Sequence, residues 1–308
     1  MFRSISPALF SLFALPALAD VPQVVTDIAP LQSMVAQVMD GVGMPELIIR
    51  PGVTPHSYAL RPSDARRLQN ADAVFWVGDE LTPWFRDALE SLAADARRVE
   101  MLENSATQIL SFREEVVFAQ GEDPVTNAVP SDDHSAHSHD PHAWLDPVNG
   151  RAWLNVIAEE LSALDPDNAA TYRANAAEGR ALLSEVETGI TAQLAPLRDR
   201  PYVVFHDGYQ YFESRFDIAA SGAISLGNGA APSPARVTKI RAEVAKAGIV
   251  CVLSEPQFSD KLITTVFEST AVKRAEVDAM GAALPRGKTL YPTLLQQMAD
   301  SLSGCLQQ

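Results

Sequence analysis

The sequence predicts an α/β fold of two lobes, each built on a parallel sheet, joined by one long helix. Three observations predict it. Apolar β-branched runs alternate with amphipathic stretches between residues 21 and 102, the same alternation returns after Pro201, and a sustained helical pattern lies between them. Parallel strands need crossover connections that cover the sheet, and strand-helix alternation supplies them.

The first nineteen residues stand apart from the fold. Arg3 gives a positive start, residues 5–15 are apolar but too few to span a bilayer, and Ala17-Leu18-Ala19 has the small-x-small form of a cleavage site. Residues 1–19 therefore read as a signal peptide, with the mature chain starting near Asp20. No later apolar run reaches spanning length.

In the N-terminal lobe, residues 20–165, runs at 21–26, 46–49, 73–77 and 98–101 read as strands. Ser63 suits the N-cap of a helix reaching Asn70, and Pro83 suits the first turn of a helix reaching Ala96. Periodicity then fades into a His-rich loop at residues 120–141, where the chain reads Ser131-Asp132-Asp133-His134-Ser135-Ala136-His137-Ser138-His139-Asp140. Such a stretch has too little apolar area to bury itself and is expected to be a surface loop. A helical pattern resumes at 151–164.

The connecting helix, residues 166–197, carries Leu183, Val186, Ile190, Leu194 and Leu197 at spacings of three and four. At 1.5 Å per residue it would reach roughly 45 Å, enough to bridge two lobes. The C-terminal lobe, residues 198–308, has strands at 202–205, 218–224, 249–253 and 274–277 and a closing helix at 293–306. No sequence repeat links it to the first lobe.

With 47% hydrophobic residues the chain can build an ordinary globular core, and its formal net charge of −15, becoming −16 when Arg3 leaves, excludes a nucleic-acid partner. Its two cysteines, Cys251 and Cys305, read as a disulfide in an exported protein, worth roughly 4 kcal/mol on the chain-entropy model. A thiolate metal site is the alternative, disfavoured because neither belongs to a C-x-x-C pair.

The six histidines are the main functional clue. None falls in the middle of an expected helix or strand. His56 follows the strand ending near Ile49, His142 lies between Pro141 and Trp144 just before a helix, and His206 closes the run Tyr202-Val203-Val204-Phe205. Asp278 ends the last strand in the same way, as a ligand or as a strand-end cap. In open α/β sheets ligands bind outside the carboxyl ends of the strands, so these side chains converge only if the two lobes face each other. Three imidazoles with one carboxylate suit Zn²⁺, whereas oxygen-rich sets suit Mg²⁺, Ca²⁺ or Mn²⁺. The cluster His134, His137 and His139 is a compositional metal signal, read as an auxiliary, low-affinity gathering arm beside the alternative of a solvated linker.

These motifs converge on a family. Pro55-His56-Ser57-Tyr58 with Leu60-Arg61-Pro62-Ser63-Asp64, Gln69-Asn70-Ala71-Asp72 through Trp76-Val77-Gly78, and the Asp- and His-rich loop carry the first half of the resemblance. Asp140-Pro141-His142-Ala143-Trp144-Leu145-Asp146-Pro147, Phe205-His206-Asp207-Gly208-Tyr209-Gln210-Tyr211-Phe212 and Ser254-Glu255-Pro256-Gln257-Phe258 carry the second. Nearly the whole mature chain thus resembles the zinc-specific solute-binding proteins of bacterial ABC importers, the ZnuA type.

The resemblance implies two four-stranded α/β lobes joined by one long rigid helix, as in metal-type periplasmic binding proteins. It also implies one tight Zn²⁺ site between them at His56, His142 and His206. Some relatives place Glu before the first His, where this chain has Pro55, and the family's Asp-Pro-Leu-Gly reads Asp278-Ala279-Met280-Gly281 here. Asp278 or a water is therefore expected to complete the shell. Manganese binders of the family tend to have Glu where His206 stands, so His206 favours zinc over manganese or another divalent metal. Cys251 and Cys305 sit where similar zinc members form a disulfide.

The implied protein is a periplasmic monomer, not an enzyme, that captures zinc and delivers it to an ABC permease in the inner membrane, with a periplasmic zinc chaperone as a candidate further partner. Two other classes compete with it. A zinc hydrolase would also use three His and a water, but the chain lacks His-Glu-x-x-His, and only Asp207 lies beside a ligand as a candidate base. A metal-storing or adhesive surface protein without a transporter is the other.

Overall fold

The computed structural model describes residues 21–113, 139–225, 227, 232–258, 260–267 and 270–307. Residues 1–19, expected to be a signal peptide, and His134 and His137 lie outside them. Two parallel four-stranded sheets organise the chain. The first contains β1 (Val24–Thr26), β2 (Glu46–Leu47), β3 (Ala73–Trp76) and β4 (Arg97–Glu100) in the order β2-β1-β3-β4. The second contains β5 (Tyr202–His206), β6 (Ala223–Ser225), β7 (Cys251–Ser254) and β8 (Lys273–Glu276) in the order β6-β5-β7-β8. The two sheets thus share one topology without a shared sequence repeat.

Helices α1 (Ala29–Val38), α2 (Pro62–Gln69), α3 (Phe85–Leu92) and α4 (Pro147–Leu164) accompany the first sheet, and α6 (Gln210–Phe216), α7 (Pro234–Lys246), α8 (Asp260–Phe267) and α9 (Leu290–Leu306) the second. Between the sheets runs α5 (Ala169–Leu194), whose 26 residues span about 39 Å. The helical run expected at 166–197 is closed at each end by a 3-10 turn, Pro166–Asn168 and Ala195–Leu197. Each turn holds a proline, which lacks the N–H that an α-helix interior requires.

Strand β5 shows how the sequence places a site residue. All five of its residues are buried, as a parallel sheet covered on both faces demands. Side chains alternate between faces. Val203 and Phe205 join an outer cluster with Ile240, Val252 and Ile263, while Tyr202 and Val204 join the main core that runs through both lobes. His206, two residues beyond Val204, therefore projects on the side of the main core.

That core continues across the lobe boundary because α9 packs on α1 and α5 as well as on β7 and β8. Tyr291 of α9 fits against Gly150 of α4, where a β-carbon would lie 2.5 Å from its hydroxyl, and donates to Trp144 O at 2.6 Å. The Trp144 indole donates to Ala279 O of the second lobe at 3.0 Å. Cys251 of β7 and Cys305 of α9 form a disulfide, which sets aside the thiolate alternative.

The structure departs from the sequence expectations at several elements: Ser63 is not the N-cap of α2 but its second residue, after the N-cap Arg61 and Pro62, and α3 begins at Phe85, beyond Pro83, and ends at Leu92 rather than Ala96. The strand expected at 218–224 shrinks to Ala223–Ser225, because Asp217 turns into the left-handed region (φ 52°) to end α6 and the next residues return the chain to the sheet. Helix α1 is not individually resolved by pattern, since nine of its ten residues are buried and it lacks a polar stripe.

Candidate metal centre

Each candidate histidine is held by a short backbone feature. His56 lies in a 3-10 turn, Pro55–Ser57, pinned by the Trp84 indole donating to Pro55 O at 2.9 Å. His142 precedes the 3-10 turn Ala143–Leu145 that leads into α4, and Asp146 caps that helix by accepting from Val148 N at 2.7 Å. His206 is the last residue of β5, paired with Ser225 of β6.

The tertiary fold brings these three imidazoles together. One nitrogen from each lies within 4.8 Å of the other two, and among the described residues no other set of three or more His, Cys, Asp or Glu does so. Ring centroids of His142 and His206 are 4.9 Å apart, and His56 is 5.6 Å from each. His142 and His206 are only 3% and 4% exposed. The cavity between the rings measures about 20 Å³, room for an ion or a single water.

Partners orient the rings. Asp140 Oδ1 accepts from His142 Nδ1 at 2.7 Å, which leaves the Nε2 lone pair free. Oriented to donate, the Gln210 amide reaches Asp140 Oδ2 and Ser111 O, both at 3.1 Å. His206 Nε2 donates to Gly227 O at 2.9 Å, and its Nδ1 lies 3.3 Å from Glu255 Oε1. Gly208 admits the pair: a β-carbon there would stand 2.6 Å from His206 Cε1 and 3.1 Å from His142 Nε2.

Electrostatics separate the three rings. Burial, reinforced by the neighbouring imidazoles, holds His56 and His142 well below the ordinary histidine pKa. Burial also pushes His206 down, but the Glu255 carboxylate, the Gly227 carbonyl and Asp207 outweigh it and hold the group above that value. Burial raises Asp140 to about 6, although the His142 backbone N–H and the Arg113 charge pull it back.

Asp278 does not join the three rings. Its Oδ1 accepts from Met280 N at 3.1 Å and its Oδ2 from Ala283 N at 3.3 Å, so the carboxylate closes the turn after β8. His139 is exposed, 3.5 Å from Glu80 through Nδ1, and bridges to Ser111 at the base of the loop. Asp207 is paired with Arg113, which also bonds Glu213 at 2.8 Å. Sequence reasoning passes over Asp140 and Glu255 as functional groups; the Asp-x-His spacing at 140–142 was the available signal for the first.

Against known proteins, residues 24–305 match the family model described as "ZnuA: Zinc-uptake complex component A periplasmic". The chain belongs to the ZnuA family. It is 41% identical to the high-affinity zinc uptake system protein ZnuA of Paracoccus denitrificans (strain Pd 1222), with 95% of this chain and 94% of that protein covered. The ZnuA of Brucella abortus (strain 2308) is 36% identical over 92% of this chain and 91% of its own length. A ZnuA crystal structure superposes with a TM-score of 0.78 at 21% identity, covering 93% of this chain and all of that one, so the ZnuA fold is shared.

Proposed function

We propose that His56, His142 and His206 bind one Zn²⁺ ion at a single tight site and that the loaded chain hands it to an ABC permease in the inner membrane. The chain is the periplasmic zinc-binding component of an ABC importer. The observation that carries the site is the meeting of three imidazoles from separate elements of both lobes, with ligand atoms within 4.8 Å. Tetrahedral Zn²⁺ at about 2.0–2.1 Å from each nitrogen sets them about 3.4 Å apart, so closure by about 1 Å would form the shell.

Two features support carriage over catalysis. The three imidazoles line a small pocket with Trp144, Tyr209 and Phe258, a largely apolar setting that among the described residues offers no side chain placed as a general base. Asp207, the candidate base, is tied up by Arg113. The all-imidazole trio, His206 included, favours zinc over manganese, which prefers oxygen donors. No helix among the described residues is long and apolar enough to cross a membrane.

The same reading takes residues 1–19 as a cleaved signal peptide and the mature chain as a monomer of two lobes, 20–165 and 198–308, around the connector at 166–197. A periplasmic zinc chaperone is a further candidate partner. Titration of the purified mature chain against a competing zinc chelator tests the site: one Zn²⁺ per chain with affinity well below micromolar is expected, lost in His206→Ala. Less than one zinc, held at micromolar affinity or weaker, would sink the proposal.

A further inference from the structure

Residues 110–113 follow β4 in the first lobe, yet the second lobe holds them. The Tyr211 hydroxyl of α6 accepts from Leu110 N at 2.9 Å and donates to Asp140 O at 2.9 Å. Arg113 reaches further into that lobe. Its Nε donates to the two Asp207 carboxylate oxygens at 3.1 and 3.2 Å, and its Nη2 donates to Asp207 as well. Its Nη1 donates to Glu213 Oε2 at 2.8 Å, with Nη2 at 3.4 Å from Glu213 Oε1. One guanidinium thus joins the residue after His206 to the middle of α6, a use that its planar fork of donors allows.

Burial makes this contact consequential. Asp207 and Glu213 are 2% and 3% exposed. Burial pushes both carboxyl groups up, the Asp207 charge adds to the push on Glu213, and the Arg113 guanidinium pulls both back down. Two buried carboxylates of one lobe therefore face a cation carried by the other. Taking away one partner of a buried ion pair is strongly destabilising, because the charge left behind has neither water nor counter-ion. Parting the lobes must draw Arg113 away from both acids. The same parting breaks the Tyr211 bond to Asp140, the residue that orients His142.

We propose that Arg113 is a clasp between the lobes that sets how long a captured zinc ion is held. It is a positioning residue, acting through Asp207 and Glu213 rather than on the ion. The proposal rests on the three-histidine site above. Without the clasp zinc should leave faster, while the ligand set and the rate of capture stay as they are, since capture begins from parted lobes.

The test follows zinc release from the loaded mature chain into excess chelator by stopped flow, and zinc capture in the reverse mixing. Wild type, Arg113→Gln, Glu213→Gln and the double variant are compared, each with X-ray absorption at the zinc edge. Release should quicken by at least about 10-fold in Arg113→Gln, with capture within about threefold of wild type. The zinc-edge spectrum should not change, and Arg113→Gln should cost less when Glu213 is already neutral, because the two side chains act as one unit. A smaller change in release, an altered spectrum, or an equal effect of Arg113→Gln in both backgrounds overturns the clasp and leaves the three-histidine site standing. If Arg113→Gln does not fold, Glu213→Gln decides: quicker release with an unchanged spectrum supports the clasp, and unchanged release overturns it. A wild-type chain that takes up no zinc overturns the site and the clasp together.

Discussion

Asp140 grips His142 twice: its Oδ1 accepts from the His142 backbone N–H at 3.0 Å and from the ring Nδ1 at 2.7 Å. The backbone contact fixes where the ring starts and the side-chain contact fixes its tautomer and plane. Asp140→Ala should therefore weaken zinc binding by about 10–100-fold, the usual effect of removing such an orienting group. Unchanged affinity in a chelator competition would show that the ring is held by packing alone.

Gly208 should tolerate no side chain. Even a methyl group there meets His206 at 2.6 Å and His142 at 3.1 Å, so the rings would have to shift into the space meant for the ion. Gly208→Ala is expected to keep the fold, since no secondary-structure element includes the residue, and to lose tight zinc binding. Circular dichroism alongside zinc titration separates the two effects.

Zinc and protons compete for the same nitrogens. Burial holds His56 and His142 below the ordinary histidine value while Glu255 holds His206 above it, so as the pH falls His206 is the first of the three to take up a proton that zinc must expel. Because a raised pKa favours the protonated ring, affinity should fall as the pH drops through that value, with a slope of about one proton per zinc. Calorimetry in buffers of differing ionisation enthalpy should count that proton in the wild type and miss it in His206→Ala. Release of three protons would contradict the assignment.

The Cys251–Cys305 bridge spans 54 residues and ties α9 to the strand beside β5. Replacing both cysteines by serine should lower stability by about 4 kcal/mol on the chain-entropy model, read as a lower denaturation midpoint. Zinc affinity at low temperature should survive, because neither sulfur touches the histidines. A large affinity loss in the folded variant would mean that the bridge positions β5.

Deleting residues 132–139 should leave the tight site intact and remove weak extra zinc, since His134, His137 and His139 are read as auxiliary ligands. Equilibrium dialysis at excess zinc measures the difference. Loss of the tight site would show that the loop contributes a ligand to it.

The alternation of buried runs with amphipathic stretches was readable from residues alone, because a parallel sheet covered on both faces demands continuous apolar strands. His206 was likewise legible, as the last residue of such a run. Helix α1 was not, because burial on nearly every face erases the polar stripe that marks a helix.

The sequence by itself determined the two α/β lobes, the connecting helix, the cysteine pair and a short list of histidines at strand ends. Only the tertiary structure decided which of them meet. His56, His142 and His206 come from three separate elements, and no local pattern encodes a distance between residues 150 positions apart. Asp278 and Glu255 are both acidic groups near strand ends. The first is consumed by backbone N–H groups of its turn and the second is left buried beside His206, a difference made by packing after the chain has closed.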